Sequence, residues 1–119
     1  MGCLNLANRK RATSVYELQA EICKILASPV RIEILTVLKD GEKTVAELVE
    51  ALDMPKTNIS QHLSVMKMKG ILRSRRDGVS IHYSIAHLKI IEVCSLMKEV
   101  LSEHLSERAG MAKFLENAE

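Results

Sequence analysis

The stretch Thr57-Asn58-Ile59-Ser60-Gln61-His62-Leu63-Ser64 places short hydroxyls and amides where a solvated helix usually carries Glu and Lys. On a helical wheel Ile59, Leu63, Met66 and Gly70 fall on one side, and Thr57, Ser60, Gln61, Ser64 and Met68 on the other. Ser and Thr add little to helix stability, but they suit the edges of base pairs. Gln or Asn can pair bidentately with adenine, and a hydroxyl can donate, accept, or touch a thymine methyl. A helix bearing such a face fits a DNA major groove about 12 Å wide. The plainer reading of the same pattern is a polar surface helix with no ligand.

Charge favours the first reading. From Lys56 to Arg76 the basic residues are Lys56, Lys67, Lys69, Arg73, Arg75 and Arg76, with no acid among them, although the whole chain carries only +2. From His87 onward the acids Glu92, Glu99, Glu103, Glu107, Glu116 and Glu119 outnumber the bases Lys89, Lys98, Arg108 and Lys113. A local basic patch on a near-neutral chain fits a surface that faces a polyanion; the alternative is an ordinary solvated charge run. Arg73 and Arg75 alternate on one strand and share a face. With Arg76, Lys67, Ser80 and His82 they are expected to hold phosphates, the wing arginines also reaching into a minor groove, while the helix reads bases. His62, at the edge of the apolar side, fits an anchoring hydrogen bond better than base reading. With aromatic residues at 3% and no Trp, stacking platforms for single strands are disfavoured. A Gly-rich phosphate loop, a paired-carboxylate motif and a nucleophile turn are all missing, so no enzyme activity is expected.

These residues must be held by other elements. Residues 1–12 read as a flexible N-terminal arm. A first helix is expected after Thr13 or Ser14, with Val15, Leu18, Ile22, Ile25 and Leu26 at helical spacing. Ala27-Ser28-Pro29 ends it and opens a second helix that runs to Asp40-Gly41, Pro being comfortable in a first turn. Thr44 and Glu47 form a capping box for a third helix. Asp53-Met54-Pro55 is a short turn into the fourth helix, which Gly70 ends as a left-handed cap. Ile71–Arg75 and Ser80–Ile85 read as strands joined by the Asp77-Gly78 hairpin signal. A last helix spans about 87–106, broken by Gly110. Its apolar residues (Ile90, Val93, Cys94, Leu96, Met97, Val100, Leu101, Leu105) cover about half the wheel, wider than the ~100° a one-sided helix needs, which points to a symmetric partner. The order gives a mostly α winged helix-turn-helix: five main helices, a two-stranded β-hairpin wing, residues 13–108 as the DNA-binding and dimerisation domain, and 109–119 as a tail.

Five segments resemble the ArsR/SmtB family of dimeric repressors: Leu26-Ala27-Ser28-Pro29-Val30-Arg31-Ile32-Glu33-Ile34-Leu35, Val45-Ala46-Glu47-Leu48, Asn58 to Met66, Gly70-Ile71-Leu72, and the wing from Arg75 to Tyr83. The likeness extends over about residues 14–106. It implies a homodimer through the first and last helices that binds operator DNA, an imperfect palindrome, and leaves it when an inducer binds. Two metal sites known in the family have no counterpart here. Glu42-Lys43-Thr44-Val45-Ala46-Glu47 lacks the Cys-x-Cys of one; Lys89 and Val100 stand where the other needs zinc ligands.

Cys3, Cys23 and Cys94 are odd in number and widely spaced, unlike a secreted disulfide framework. Cys23 and Cys94 are either small packing residues or, if their helices meet, a redox or soft-metal pair. No signal peptide or membrane span is read, so a cytoplasmic protein is expected. No cofactor is expected, and the inducer is not legible. The rival to DNA binding is a winged-helix protein-interaction module, which predicts an apolar or acidic outer face on the fourth helix.

Overall fold

The structure is a computed structural model that describes the backbone of residues 3–117 and the side chains of residues 14–117. The elements follow in the order α1 (Cys3–Leu26), α2 (Pro29–Leu38), β1 (Lys43–Thr44), α3 (Val45–Leu52), α4 (Lys56–Met68), β2 (Leu72–Asp77), β3 (Ser80–Ile85) and α5 (Lys89–Asn117). The chain divides into two compact units, residues 1–86 and 87–119.

The first unit holds the core: Ile25, Ile34, Leu35, Leu38, Leu48, Ile59, Leu63, Met66, Ile71 and Leu72 are all buried. Local signals set its helix boundaries. Ser28 accepts the Arg31 N–H as the cap of α2, and Pro29 occupies the first turn. Thr44 Oγ1 accepts the Glu47 N–H at 3.2 Å, while the Glu47 carboxylate accepts the Thr44 N–H at 3.1 Å, completing the capping box of α3. Asp53 ends α3 at φ 51, a left-handed conformation that Asp tolerates better than most side chains, and so permits the tight turn into α4. Gly70 (φ +79) closes α4. Its N–H bonds to the Lys67 carbonyl at 3.0 Å, and that of Ile71 to the Met66 carbonyl at 2.9 Å, the Schellman pattern.

The wing pairs β2 with β3 from Leu72↔Ile85 to Asp77↔Ser80. Gly78 and Val79 form the two-residue turn, and only Gly78 has positive φ (+63), the type II′ arrangement. The expected Asp-Gly signal therefore marks the right hairpin but sits one residue early. A third strand was not expected: β1 pairs with β3 through Lys43↔Tyr83 and Thr44↔His82, giving sheet order β1-β3-β2. Two residues are too few to show alternation, and Thr44 reads in sequence only as a helix cap.

Two expected boundaries move. α1 begins at Cys3, not after Thr13; only residues 1–2 of the expected arm lie outside the described residues. The segment Leu4-Asn5-Leu6-Ala7-Asn8-Arg9-Lys10-Arg11-Ala12 contains neither Pro nor Gly, and its Leu, Ala, Arg and Lys favour a helix. The second unit is built on α5, which runs through Gly110 to Asn117 instead of ending near Ser106. Gly in a helix costs about 1 kcal/mol relative to Ala, and Ala109, Met111, Ala112 and Lys113 carry the helix past it. Among its described residues α5 has none fully buried, and Leu96, Met97, Val100, Leu101, Leu105, Met111, Phe114 and Leu115 are each more than half exposed.

Candidate nucleic-acid interface

Helix α4 is fixed by its inner face. Ile59, Leu63 and Met66 have no exposed surface at all, and the helix packs on α3 and β2. That leaves Lys56, Thr57, Asn58, Gln61, Ser64 and Lys67 exposed, with Ser60 and His62 half-buried at the margins. Pro55 precedes the helix and supplies no side-chain cap, so the first-turn N–H groups of α4 stay open to an external acceptor.

His62 has a partner from another helix. Arg31 Nε, on α2, donates to His62 Nδ1 at 3.1 Å. His62 is thereby held as a neutral imidazole, and burial first, then the Arg31 charge, push its pKa below the ordinary value. Arg31, Ser60, Gln61, His62, Ser64 and Val65 line one shallow concavity. The Arg31 Nη nitrogens have no hydrogen-bond partner among the described residues.

On the wing, residues paired across the strands share a face. Arg73, Arg75, Asp77, Ser80, His82 and Ser84 lie on one side; Leu72, Ser74, Arg76, Ile81, Tyr83 and Ile85 lie on the other. Arg73 and Arg75 thus share a face, as their alternation predicts, and Arg76 points from the opposite one. Arg73 and Arg76 are exposed. Arg75 is not free: its Nε donates to the two oxygens of Glu42 at 2.9 and 3.1 Å, and its Nη2 pairs with Glu42 Oε1. The Asp77 carboxylate lies 4.0 Å from Arg75 Nη1, and His82 Nδ1 lies 4.0 Å from Glu42 Oε1. The Arg75 hydrogen bond holds the Glu42 carboxyl below the usual carboxylate range and raises Arg75 further.

The matched region and its relatives identify this arrangement. The family model for arsR-family bacterial regulatory proteins matches residues 28–74, from the cap of α2 into β2. An uncharacterized HTH-type transcriptional regulator of Mycobacterium tuberculosis, Rv0081, is 37% identical over 102 residues, spanning 85% of this chain and 90% of its own. The chain belongs to the ArsR family. The crystal structure of Rv0081 superposes on this ArsR-family chain with a TM-score of 0.73 at 38% identity, covering 80% of this chain and 96% of the other. The homodimeric winged helix-turn-helix DNA-binding domain of Mb0332 from Mycobacterium bovis gives the same TM-score at 31% identity, covering 82% and 90%. The transcriptional repressor SmtB of M. tuberculosis is 36% identical over 72 residues, 60% of this chain and 53% of its own. The family and these relatives are transcriptional regulators, not enzymes.

Arg31 and Glu42 are the residues that sequence reasoning gave no part in the surface of this ArsR-family regulator. Each reaches its partner across more than thirty positions, 31 for Arg31–His62 and 33 for Arg75–Glu42, and no local pattern encodes such a pair. Cys23 is exposed on α1 and Cys94 half-buried on α5. Burial pushes the Cys94 thiol up, with Lys98 opposing, which reduces its thiolate and its reactivity. Among the described residues no three His, Cys, Asp or Glu side chains gather as a metal site, and no helix is long and apolar enough to cross a membrane.

Proposed function

We propose that this chain is a cytoplasmic, sequence-specific repressor that binds double-stranded operator DNA as a homodimer and is released by an inducer. The observation that carries the reading is the division of α4: a fully buried Ile59-Leu63-Met66 face and an exposed Thr57-Asn58-Gln61-Ser64 face beside a basic wing. Apart from Met68 at its C-terminal end, that outer face is neither apolar nor acidic, which disfavours the protein-interaction alternative. In this reading Gln61, Asn58, Thr57, Ser60 and Ser64 meet base edges. Lys56, Lys67, Arg73 and Arg76, together with the uncapped start of α4, hold phosphates. His62 anchors Arg31 at the rim, and Ser80 and His82 add wing contacts.

The homodimer is supported by the apolar surface left open. On α1, Val15, Tyr16 and Leu18 are each more than 60% exposed, and α5 exposes the apolar series described above. Uncovered apolar area of this kind marks an association surface, and Mb0332 is described as homodimeric. Two copies would set their recognition helices in successive major grooves, about 34–36 Å apart, on an imperfect palindrome. An inducer that favours a dimer with another spacing needs a coupling of only about 1–3 kcal/mol. SmtB, named as a repressor, supports the direction of control.

The test is a titration of the purified protein against the DNA upstream of its own gene and against a scrambled duplex, read by fluorescence anisotropy. Preference for the upstream duplex, together with lower reporter output from that promoter in cells, supports the reading. Binding to neither duplex removes it.

A further inference from the structure

Glu42 is an acid set into a cationic surface. It stands just before β1, yet its carboxylate reaches the wing and takes both Nε and Nη2 of Arg75. His82, opposite Arg75 in the strand register, has its Nδ1 4.0 Å from the same oxygen of Glu42, and Asp77 lies 4.0 Å from the other prong of Arg75. One guanidinium thus faces two carboxylates, so the charge of Arg75 is already balanced where it would meet a phosphate. The fork that Arg75 offers Glu42 is the fork an arginine offers a phosphate. Carboxylate and phosphate therefore compete for the same N–H groups. The pair is solvent-accessible, with side chains 54% and 37% exposed, so water screens it and a phosphate can reach the same N–H groups.

We propose that Glu42 is a specificity-determining residue, occupying Arg75 until a phosphate held in the operator register replaces it. The inference rests on the DNA-binding reading above. Sequence-independent binding is almost wholly electrostatic. A duplex met at random gains little from Arg75, because its phosphate must displace one carboxylate and sit near a second. At an operator the base contacts of α4 fix the register and hold a phosphate at the wing, and the exchange follows. Glu42 thus withholds one cation from non-specific DNA. The Arg75 hydrogen bond holds its carboxyl below the usual carboxylate range, so at neutral pH Glu42 meets the guanidinium as an anion.

The test uses the full chain and two duplexes: one selected from a random pool by the unmodified protein, and one scrambled from it. Glu42→Gln is expected to bind the scrambled duplex about three- to tenfold more tightly, with its log–log salt slope steeper by about 0.9, the increment of one added phosphate contact. The selected duplex gains less, so discrimination falls. Glu42→Gln/Arg75→Ala is expected to lose the gain. Glu50→Gln, which removes an exposed carboxylate of α3, is expected to leave the ratio unchanged. An equal effect from Glu50→Gln overturns the proposal, as does a Glu42→Gln protein of unchanged circular dichroism that gains nothing on scrambled DNA or weakens on both duplexes. If the unmodified protein enriches no sequence and binds neither duplex, the DNA-binding reading itself has failed, and the proposal goes with it.

Discussion

Arg31 Nε and His62 Nδ1 are 3.1 Å apart, and the bond between them ties α2 to α4 across the margin of the exposed recognition face. Nδ1 can accept only when it carries no proton, so the bond fixes both the tautomer and the charge state of His62. Protonation would remove the acceptor and set a second positive charge beside Arg31.

A pH dependence of stability follows. The folded-state pKa of His62 is lowered, by burial first and by Arg31 second. The unfolded chain titrates near its ordinary value, about 6.5. Between the two values the unfolded state binds more protons, so stability rises with pH across that window. The contribution is complete above the unfolded value and is lost as pH falls through the folded one. Thermal midpoints measured from about pH 8 down to about pH 5 should fall more steeply for the unmodified protein than for His62→Gln. Parallel curves would show that His62 is not the titrating group.

Substitutions on the two faces of α4 should separate stability from recognition. Leu63 is fully buried, and Leu63→Ala is expected to cost about 2–5 kcal/mol in denaturant unfolding. Gln61 is exposed, and Gln61→Ala should change stability by no more than about 0.5 kcal/mol. That same change should lower discrimination between the selected and scrambled duplexes by about 1–3 kcal/mol. A Gln61→Ala protein that keeps full discrimination would displace base reading from this face.

Arg76 provides the complementary case. It is exposed, and no ion pair holds it among the described residues. Arg76→Ala is expected to weaken binding to every duplex alike and to flatten the salt slope by about 0.9, the value for one phosphate. Loss confined to the selected duplex would instead make Arg76 a base or groove reader.

Much of the first unit was legible because its signals are local. Ile59, Leu63 and Met66 recur at helical spacing and are buried as that spacing predicts. Thr44 and Glu47 are three residues apart and close the capping box; Gly70 adopts the left-handed conformation its position requires. What was not legible depends on residues far apart in the chain. β1 exists only by pairing with β3, and nothing near Lys43-Thr44 announces it. Arg75 reads as a free cation until Glu42 is brought beside it. At Gly110 the matter is one of weight: a single unfavourable residue does not outweigh helix formers on both sides, and α5 continues to Asn117.

The exposed face of α5 yields the prediction on assembly. Leu101 is 55% exposed and its neighbour on the same face, Met97, 63%. In a homodimer that uses this helix, Leu101→Glu places two like charges in an apolar contact, where unpaired burial is costly. The helix itself should persist, because Glu is a good helix former. Sedimentation velocity is therefore expected to show a monomer with unchanged helicity where the unmodified protein sediments as a dimer. DNA affinity should fall with it. Two half-sites bound through a dimer gain avidity of about 10²–10⁴ over single engagement, and Leu101→Glu should forfeit that gain while keeping the base preference of each half-site. A Leu101→Glu protein that remains dimeric would move the interface off this face of α5. A monomer with undiminished affinity for the selected duplex would instead show that α4 and the wing suffice without a second copy.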